Sequence, residues 1–184
     1  MKSSHRPDQI SDSNTENRVP KTDGLCYFFC MDMDLTFMRM AFSQAKQAAT
    51  AGEVPVGAII VKDHELIGKA YNQVEVLKDP TAHAEMISIT QAATALGDWR
   101  LEGATMYVTK EPCPMCAGAI IQARIERVVW GATDVKRGGA SSLFNILQNE
   151  ALNHHVDIQT GVMEFECGGI LREFFQQKRR KHSP

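Results

Sequence analysis

ATMYVTKEPCPMCAGAIIQA, residues 104–123, is the stretch that decides the fold. Its first part, residues 104–109, predicts a β-strand. Pro112 then opens a helix that extends to about residue 123, because proline is tolerated where the first helical N–H groups have no partner. Cys113 and Cys116 lie three residues apart at the start of this helix, so both thiols share one helical face. A strand that runs into a helix bearing paired thiols indicates an α/β unit with chemistry at its turn.

Helical and strand patterns continue on both sides of this unit. A helix that starts at Asp32 or Asp34 is predicted by apolar residues at three- and four-residue steps, namely Leu35, Met38, Phe42, Ala45 and Ala49. Strands are expected over residues 54–62, 65–71, 127–131 and 156–159, and helices over residues 81–95, 143–147 and 163–178. This order predicts an α/β fold with a mixed sheet. A helical crossover between residues 131 and 156 would let the last two strands pair in parallel.

One domain, residues 31–184, accounts for every patterned segment, and 184 residues suit a single domain with a sizeable core. The first 24 residues are polar and lack apolar periodicity, which predicts disorder. We expect residues 1–30 to be either a disordered extension or a mis-assigned start, with translation beginning at Met31 or Met33.

Charge and cysteine content exclude several classes of protein. The chain carries 20 basic and 22 acidic side chains, a net charge of -2, which argues against a uniformly basic nucleic-acid binder. Five of the basic residues fall after residue 170, so the positive charge is concentrated at the C-terminus. Five cysteines, an odd number, fit a disulfide scaffold poorly. No stretch resembles a secretory signal or a membrane span, so a cytoplasmic protein is expected.

The chemistry is predicted from two short segments, HAE at residues 83–85 and PCPMC at residues 112–116. His83, Cys113 and Cys116 supply three ligands that suit tetrahedral zinc. No fourth protein ligand is evident, and catalytic zinc sites differ from structural ones in keeping a position for water. Glu85 lies two residues from the histidine, where it can act as the base for that water.

Each segment alone has a simpler interpretation. A CxxC pair is often half of a structural zinc site or a redox pair, and an isolated His-x-Glu on a helix usually has no function. Both segments open a predicted helix, and the two together favour a catalytic metal site.

The paired segments match the signature H-x-E…P-C-x-x-C, so the chain resembles the zinc-dependent cytidine and deoxycytidylate deaminase superfamily. Within it, the longer stretches are similar to the tRNA adenosine deaminases: GEVPVGAIIV (52–61), DPTAHAEM (79–86), RVVWGATDVKRGGASSL (127–143), LNHHVDI (152–158) and LREFFQQKRR (171–180). The resemblance implies a cytidine-deaminase-like three-layer fold, with a mixed five-stranded sheet flanked by helices. It also implies one Zn²⁺ per subunit held by His83, Cys113 and Cys116, Glu85 as proton shuttle, and a homodimer.

The same resemblance implies contacts to a tRNA anticodon stem-loop. The residues concerned are Asn72, Asp134, Lys136, Asn153, His154, Arg179, Arg180 and Lys181. A lone Asn72 after a strand would by itself suggest a turn. The three tail cations would ordinarily form a solvated basic end, but beside an RNA site they would touch phosphates without reading sequence.

The expected reaction is hydrolytic deamination of adenosine to inosine at the wobble position of a tRNA anticodon, using zinc-activated water. Guanine or deoxycytidylate deamination remains an alternative, because those enzymes share the signature and much of the fold. A zinc-stabilised RNA-binding module without catalysis is an alternative of another class, and such a module would have no need of Glu85.

Overall fold

The computed structural model describes the backbone of residues 24–181 and the side chains of residues 33–180. Its elements, in chain order, are α1 (Gly24–Thr50), β1 (Gly57–Lys62), β2 (Glu65–Tyr71), α2 (Val74–Leu77), α3 (Ala84–Leu96), β3 (Thr105–Lys110), α4 (Pro114–Gln122), β4 (Arg127–Ala132), β5 (Asp157–Gln159) and α5 (Glu164–Lys181). Within these residues, no helix combines the length and the apolar composition that crossing a bilayer requires.

The strands of the described chain form one mixed sheet in the order β2-β1-β3-β4-β5. β1 pairs antiparallel with β2 and β3, whereas β3, β4 and β5 run parallel. Successive side chains on a strand point to opposite faces. Ile60 and Val108 therefore face the layer of α3 and α4, while Ile59 and Tyr107 face α1 and α5. The predicted mixed five-stranded sheet between two helical layers is confirmed.

Two glycines bring helices close to the sheet. A Cβ atom at Gly57 would lie 2.2 Å from the carbonyl oxygen of Ala41 in α1. A Cβ atom at Gly68 would lie 2.5 Å from the carbonyl oxygen of Ser88 in α3. Both contacts are far shorter than van der Waals distance, so only glycine permits this packing. The Gly68 contact sets the position of α3, whose first turn carries Glu85.

A partly buried ion pair joins α1 to β4. Both carboxylate oxygens of Asp34 accept hydrogen bonds from the guanidinium of Arg127, at 2.8 and 2.7 Å, and the hydroxyl of Tyr107 donates to the same carboxylate at 3.0 Å. Bidentate geometry of this kind is among the stronger protein hydrogen-bond arrangements. The pair connects residues 93 positions apart and holds the layer of α1 on the sheet.

The predicted helix over residues 143–147 is wrong, since these residues form a bend, a turn and irregular backbone. The N–H groups of Phe144 and Ile146 donate to the carbonyls of Gly138 and Gly139, at 3.2 and 3.1 Å. Those bonds, which reach back six and seven residues, replace the i to i−4 bonds of a helix, while Leu147 is buried in the core. The crossover from β4 to the parallel strand β5 is therefore an ordered loop.

The N-terminal boundary of the first helix also differs from the expected one. α1 begins at Gly24 rather than near Asp34, so the backbone of residues 24–30, which we assigned either to a disordered extension or to a mis-assigned start, is helical. No glycine or proline interrupts residues 25–50, and such a run can continue a helix that tertiary packing holds further along. The expectation of disorder for residues 1–23 lies outside the described residues.

Candidate active site

Three ligand-bearing side chains meet where two helices begin. His83 is the N-cap of α3, Cys113 is the N-cap of α4, and Cys116 lies in the first turn of α4. Nδ1 of His83 lies 3.7 Å from Sγ of Cys113 and 3.4 Å from Sγ of Cys116, and the two sulfurs are 3.6 Å apart. The structure therefore brings together the ligand set that the sequence predicts.

These separations fit a tetrahedral zinc ion. Zinc binds cysteine sulfur at about 2.3 Å and histidine nitrogen at about 2.0–2.1 Å. At tetrahedral angles, those bond lengths place two sulfurs about 3.8 Å apart and a sulfur and a nitrogen about 3.5 Å apart. The three measured distances lie within a few tenths of an ångström of these values. The side chains can thus hold such an ion with little movement.

The electrostatics of the Cys113 and Cys116 thiols favour the binding of a cation. Their mutual hydrogen bond lowers the pKa of Cys113 to about 3, and the neighbouring His83 acts in the same direction. The same hydrogen bond, together with burial, raises the pKa of Cys116. The pair thus shares one proton, and a bound cation would displace it, because the thiolate is the form that binds metal.

Glu85 lies beside the ligands and is not needed as one of them. Its side chain is only 4% exposed, and burial raises its pKa. Among the described side chains, its Oε2 is one of the few buried polar atoms with no hydrogen-bond partner. A buried carboxylate oxygen without a partner is costly unless a substrate or water completes it. This is the geometry expected of a proton shuttle.

A cavity of about 60 Å³ opens onto this cluster. It is lined by Val56, Asn72, His83, Glu85, Lys110, Glu111 and Cys113. A wider groove of about 640 Å³ lies between α3 and α4, but Asp98 is the only acidic residue lining it and no histidine or cysteine does. The groove therefore has no ligands for a metal, and we place the chemistry in the small cavity.

Asn72 faces the cavity from the end of β2 and is held by a residue that the sequence did not suggest. Glu53 is buried, with 1% of its surface exposed, and its Oε2 accepts a hydrogen bond from Nδ2 of Asn72 at 3.1 Å. The signal available in the sequence was an acidic residue placed between Gly52 and a strongly apolar strand.

Glu111 is a second buried carboxylate that sequence reasoning missed. It follows β3 directly and accepts hydrogen bonds from the backbone N–H groups of Asp134, Ser141 and Ser142 at 2.9–3.0 Å. Burial raises the pKa of Glu111, but these bonds outweigh it and lower the pKa overall. Glu111 thus fastens the loop of residues 133–142, which we call the glycine loop, beside the cavity.

Asp134 stabilises the glycine loop and pairs with the cavity lining. Its carboxylate accepts from the backbone N–H groups of Lys136 and Arg137, both at 3.1 Å, and forms an ion pair with Lys110. Despite partial burial, the hydrogen bond and charge of Lys110 lower the pKa of Asp134. Lys136 is exposed on the same loop. A direct RNA contact by either residue stays a prediction.

The remaining predicted RNA contacts lie away from the cavity. Oδ1 of Asn153 accepts from Arg124 at 3.0 Å, and Nε2 of His154 is 2.7 Å from the carbonyl oxygen of Ile125, both beyond the C-terminal end of α4. The nine residues of α4 span about 13 Å, so these side chains are roughly a helix length from Cys113. Arg179 and Arg180 are exposed near the end of α5, where Lys181 is the last residue.

Comparison with known proteins defines the class. Residues 32–179 match the family of MafB19-like deaminases. The match spans both helix starts that carry the ligands and the buried carboxylate. Fold and site together define a hydrolytic deaminase with a His/Cys/Cys metal site.

Three similar proteins show which group of deaminases the chain resembles most. The chain is 50% identical over 151 residues to the tRNA-specific adenosine deaminase of Bacillus subtilis strain 168, covering 82% of this chain and 94% of the relative. A structure from a study of A-to-I editing by tRNA:A34 deaminases is 43% identical, with a TM-score of 0.72 over 74% of this chain and 99% of the other. The guanine deaminase of Bacillus subtilis is 42% identical, but the alignment covers only 53% of this chain and 63% of the guanine deaminase chain, with a TM-score of 0.51. The chain belongs to the tRNA-specific adenosine deaminases.

Proposed function

We propose that this chain converts adenosine to inosine by hydrolysis at the wobble position of a tRNA anticodon. The observation that carries the proposal is the unpartnered, buried Oε2 of Glu85 beside a three-ligand cluster. A purely structural metal site would have no use for such a carboxylate. Membership in the tRNA-specific adenosine deaminases supports the choice of substrate.

We assign Zn²⁺ to His83, Cys113 and Cys116, because two thiolates and an imidazole suit this ion and the ligand separations match it. When bound, zinc lowers the pKa of a coordinated water toward neutrality. Two thiolates and a neutral imidazole would balance the charge of the ion.

Glu85 moves the protons of the reaction. Its carboxylate removes a proton from the attacking water and delivers it to N1 of the adenine, as the water oxygen bonds to C6. It then takes the proton of the new C6 hydroxyl and passes it to the amino group. The C6–N bond breaks, ammonia leaves, and inosine remains, so one water is consumed for each ammonia released.

The target base must unstack from its neighbours before it can enter the cavity. A target in a single-stranded loop has already lost base pairing, so unstacking it costs less than it would in a duplex. Cations outside the cavity then contact phosphates: Lys136 on the glycine loop, and Arg179, Arg180 and Lys181 on α5. Asn72, Asp134, Asn153 and His154 complete the proposed contacts. We further propose that the enzyme acts as a homodimer in the cytoplasm.

The test is a substrate panel. Purified protein is incubated with transcribed tRNAs, free guanine and deoxycytidylate, and inosine and ammonia are measured. We expect inosine in tRNA and no ammonia from the two small molecules. Ammonia from guanine alone would replace this proposal with guanine deamination, and tRNA binding without ammonia would indicate an RNA-binding module. Light scattering measures the mass and tests the homodimer.

A further inference from the structure

We propose that Glu53 is a positioning residue that fixes the direction in which the Asn72 amide meets the target nucleoside. This inference rests on the proposed function, because it concerns the same cavity and substrate. It assigns Glu53 no contact with the substrate. The residue acts through Asn72, which lines the cavity together with Glu85.

Both carboxylate oxygens of Glu53 accept hydrogen bonds from backbone N–H groups. Its Oε1 accepts from the backbone N–H of Val76 at 2.8 Å, and its Oε2 accepts from the backbone N–H of Glu75 at 3.1 Å. A backbone N–H can only donate, so both oxygens are already acceptors. The Asn72 atom that meets Oε2 at 3.1 Å must then be the donor nitrogen Nδ2.

This arrangement fixes the orientation of the Asn72 amide. The Asn72 backbone is fixed as well, because its N–H donates to the carbonyl of Val56 at 3.0 Å. Asn72 is buried, so its side chain has little freedom to rotate away. Nδ2 carries two N–H groups and Glu53 takes one of them, so the second N–H and the acceptor Oδ1 are left for a ligand, each in a fixed direction.

The consequence concerns the substrate. A fixed amide meets a donor of the nucleoside, such as a ribose hydroxyl or the exocyclic amine, with Oδ1, and it meets an acceptor, such as a ring nitrogen, with the second N–H. Without Glu53, the amide could turn over and exchange these two groups, so the match to the nucleoside would be lost.

A double-mutant cycle tests the inference. Glu53→Gln, Asn72→Ala and the double variant are compared with the unaltered enzyme, using an anticodon stem-loop RNA as substrate. An interaction between neighbouring residues appears as non-additivity. We expect each single change to lower kcat/KM about tenfold or more and the double variant to be no worse than Asn72→Ala alone. Glu65→Gln removes an exposed carboxylate at the start of β2 and serves as the control, with unchanged kinetics.

A merely structural role predicts a different pattern. Glu53→Gln also weakens the bonds to Val76 and Glu75, so its melting temperature should fall whether or not the inference is right. Metal content should stay at the level of the unaltered protein in all variants. If Glu53→Gln lowers kcat/KM by the same factor in the Asn72→Ala background as alone, Glu53 does not act through Asn72 and the proposal is overturned.

A second substrate identifies the group that Asn72 meets. A stem-loop with 2′-deoxyadenosine at the target position lacks one hydroxyl. If Asn72 binds this hydroxyl, the deoxy substitution lowers kcat/KM in the unaltered enzyme and has little effect in either single variant. If Asn72 binds the base, the substitution acts equally on all proteins while the non-additivity persists; both results support the positioning role. Normal kinetics of Asn72→Ala would overturn it, whereas failure of the proposed function would appear as absent tRNA deamination in the unaltered protein.

Discussion

Gly139 lies directly against the backbone of Cys113. A Cβ atom at Gly139 would be 2.7 Å from the carbonyl carbon of Cys113 and 2.5 Å from the nitrogen of Pro114. The N–H of Gly139 also donates to the carbonyl of Pro112 at 2.8 Å. The glycine loop, which Glu111 also fastens, is thus packed onto the turn that presents Cys113.

This contact predicts that Gly139→Ala disturbs the metal site. The added methyl would have to displace backbone rather than a flexible side chain, which moves Cys113 relative to His83. We expect at least a tenfold loss of zinc affinity and a lower melting temperature, measured by competition with a chromogenic chelator and by calorimetry. Gly118→Ala in α4 is the matched control, since a Cβ there meets nothing within 4 Å and alanine favours a helix by roughly 0.5–1 kcal/mol.

Glu85→Gln should separate catalysis from metal binding. The amide keeps the size of the side chain but cannot accept a proton, while the three ligands stay intact. We expect kcat on tRNA to fall by roughly 10²–10⁴-fold, with zinc content near one per chain by elemental analysis. Loss of zinc in this variant, or near-normal turnover, would contradict the assignment of Glu85 as the shuttle.

His83→Ala should behave in the opposite way. It removes one of three protein ligands, so zinc content should drop along with activity. Because metal binding and folding are linked, the melting temperature should fall as well, and a chelator should lower it in the unaltered protein. A chelator that leaves the melting temperature unchanged would show that the site adds nothing to stability.

The sequence was sufficient to predict the cluster of three candidate ligands that the structure brings together, and insufficient to predict the buried carboxylates around the cavity. His83, Cys113 and Cys116 are recognisable because metal chemistry restricts residue type and spacing. Glu53 and Glu111 are not, because a carboxylate that accepts backbone N–H groups from distant segments leaves no periodic trace. Residues 143–147 show the same limit: their apolar residues suggested a helix, whereas bonds to Gly138 and Gly139 impose an irregular loop. In residues 143–147, hydrogen bonds to the preceding loop override local propensity.

The raised pKa of Tyr107 predicts that the protein loses folding stability at alkaline pH. Burial raises its pKa above the ordinary value, and the charge of Asp34 and the hydrogen bond to it add to the shift. In an unfolded chain a tyrosine titrates near pH 10. The contribution of Tyr107 to folding stability is therefore complete below about pH 10, and it is lost as the pH rises toward the pKa of Tyr107 in the folded state. Tyr107→Phe should therefore show a smaller fall in unfolding free energy between pH 9 and 11, measured by urea titration. At neutral pH it should be about 1 kcal/mol less stable.

The tail cations should matter for binding and not for chemistry. Arg179 and Arg180 lie near the end of α5 and do not line the catalytic cavity, and Lys181 is the last residue of that helix. Replacing all three by alanine should raise KM for tRNA while leaving single-turnover rates at saturating enzyme nearly unchanged. The slope of log K against log salt should become shallower by roughly 2–3, because each phosphate contact contributes about 0.7–0.9. Replacing Lys46, Lys62 and Lys69, on α1, β1 and β2, removes the same charge and serves as the control. An equal change in slope for both triple variants would mean that net charge, and not a contact made by the tail, governs the affinity for tRNA.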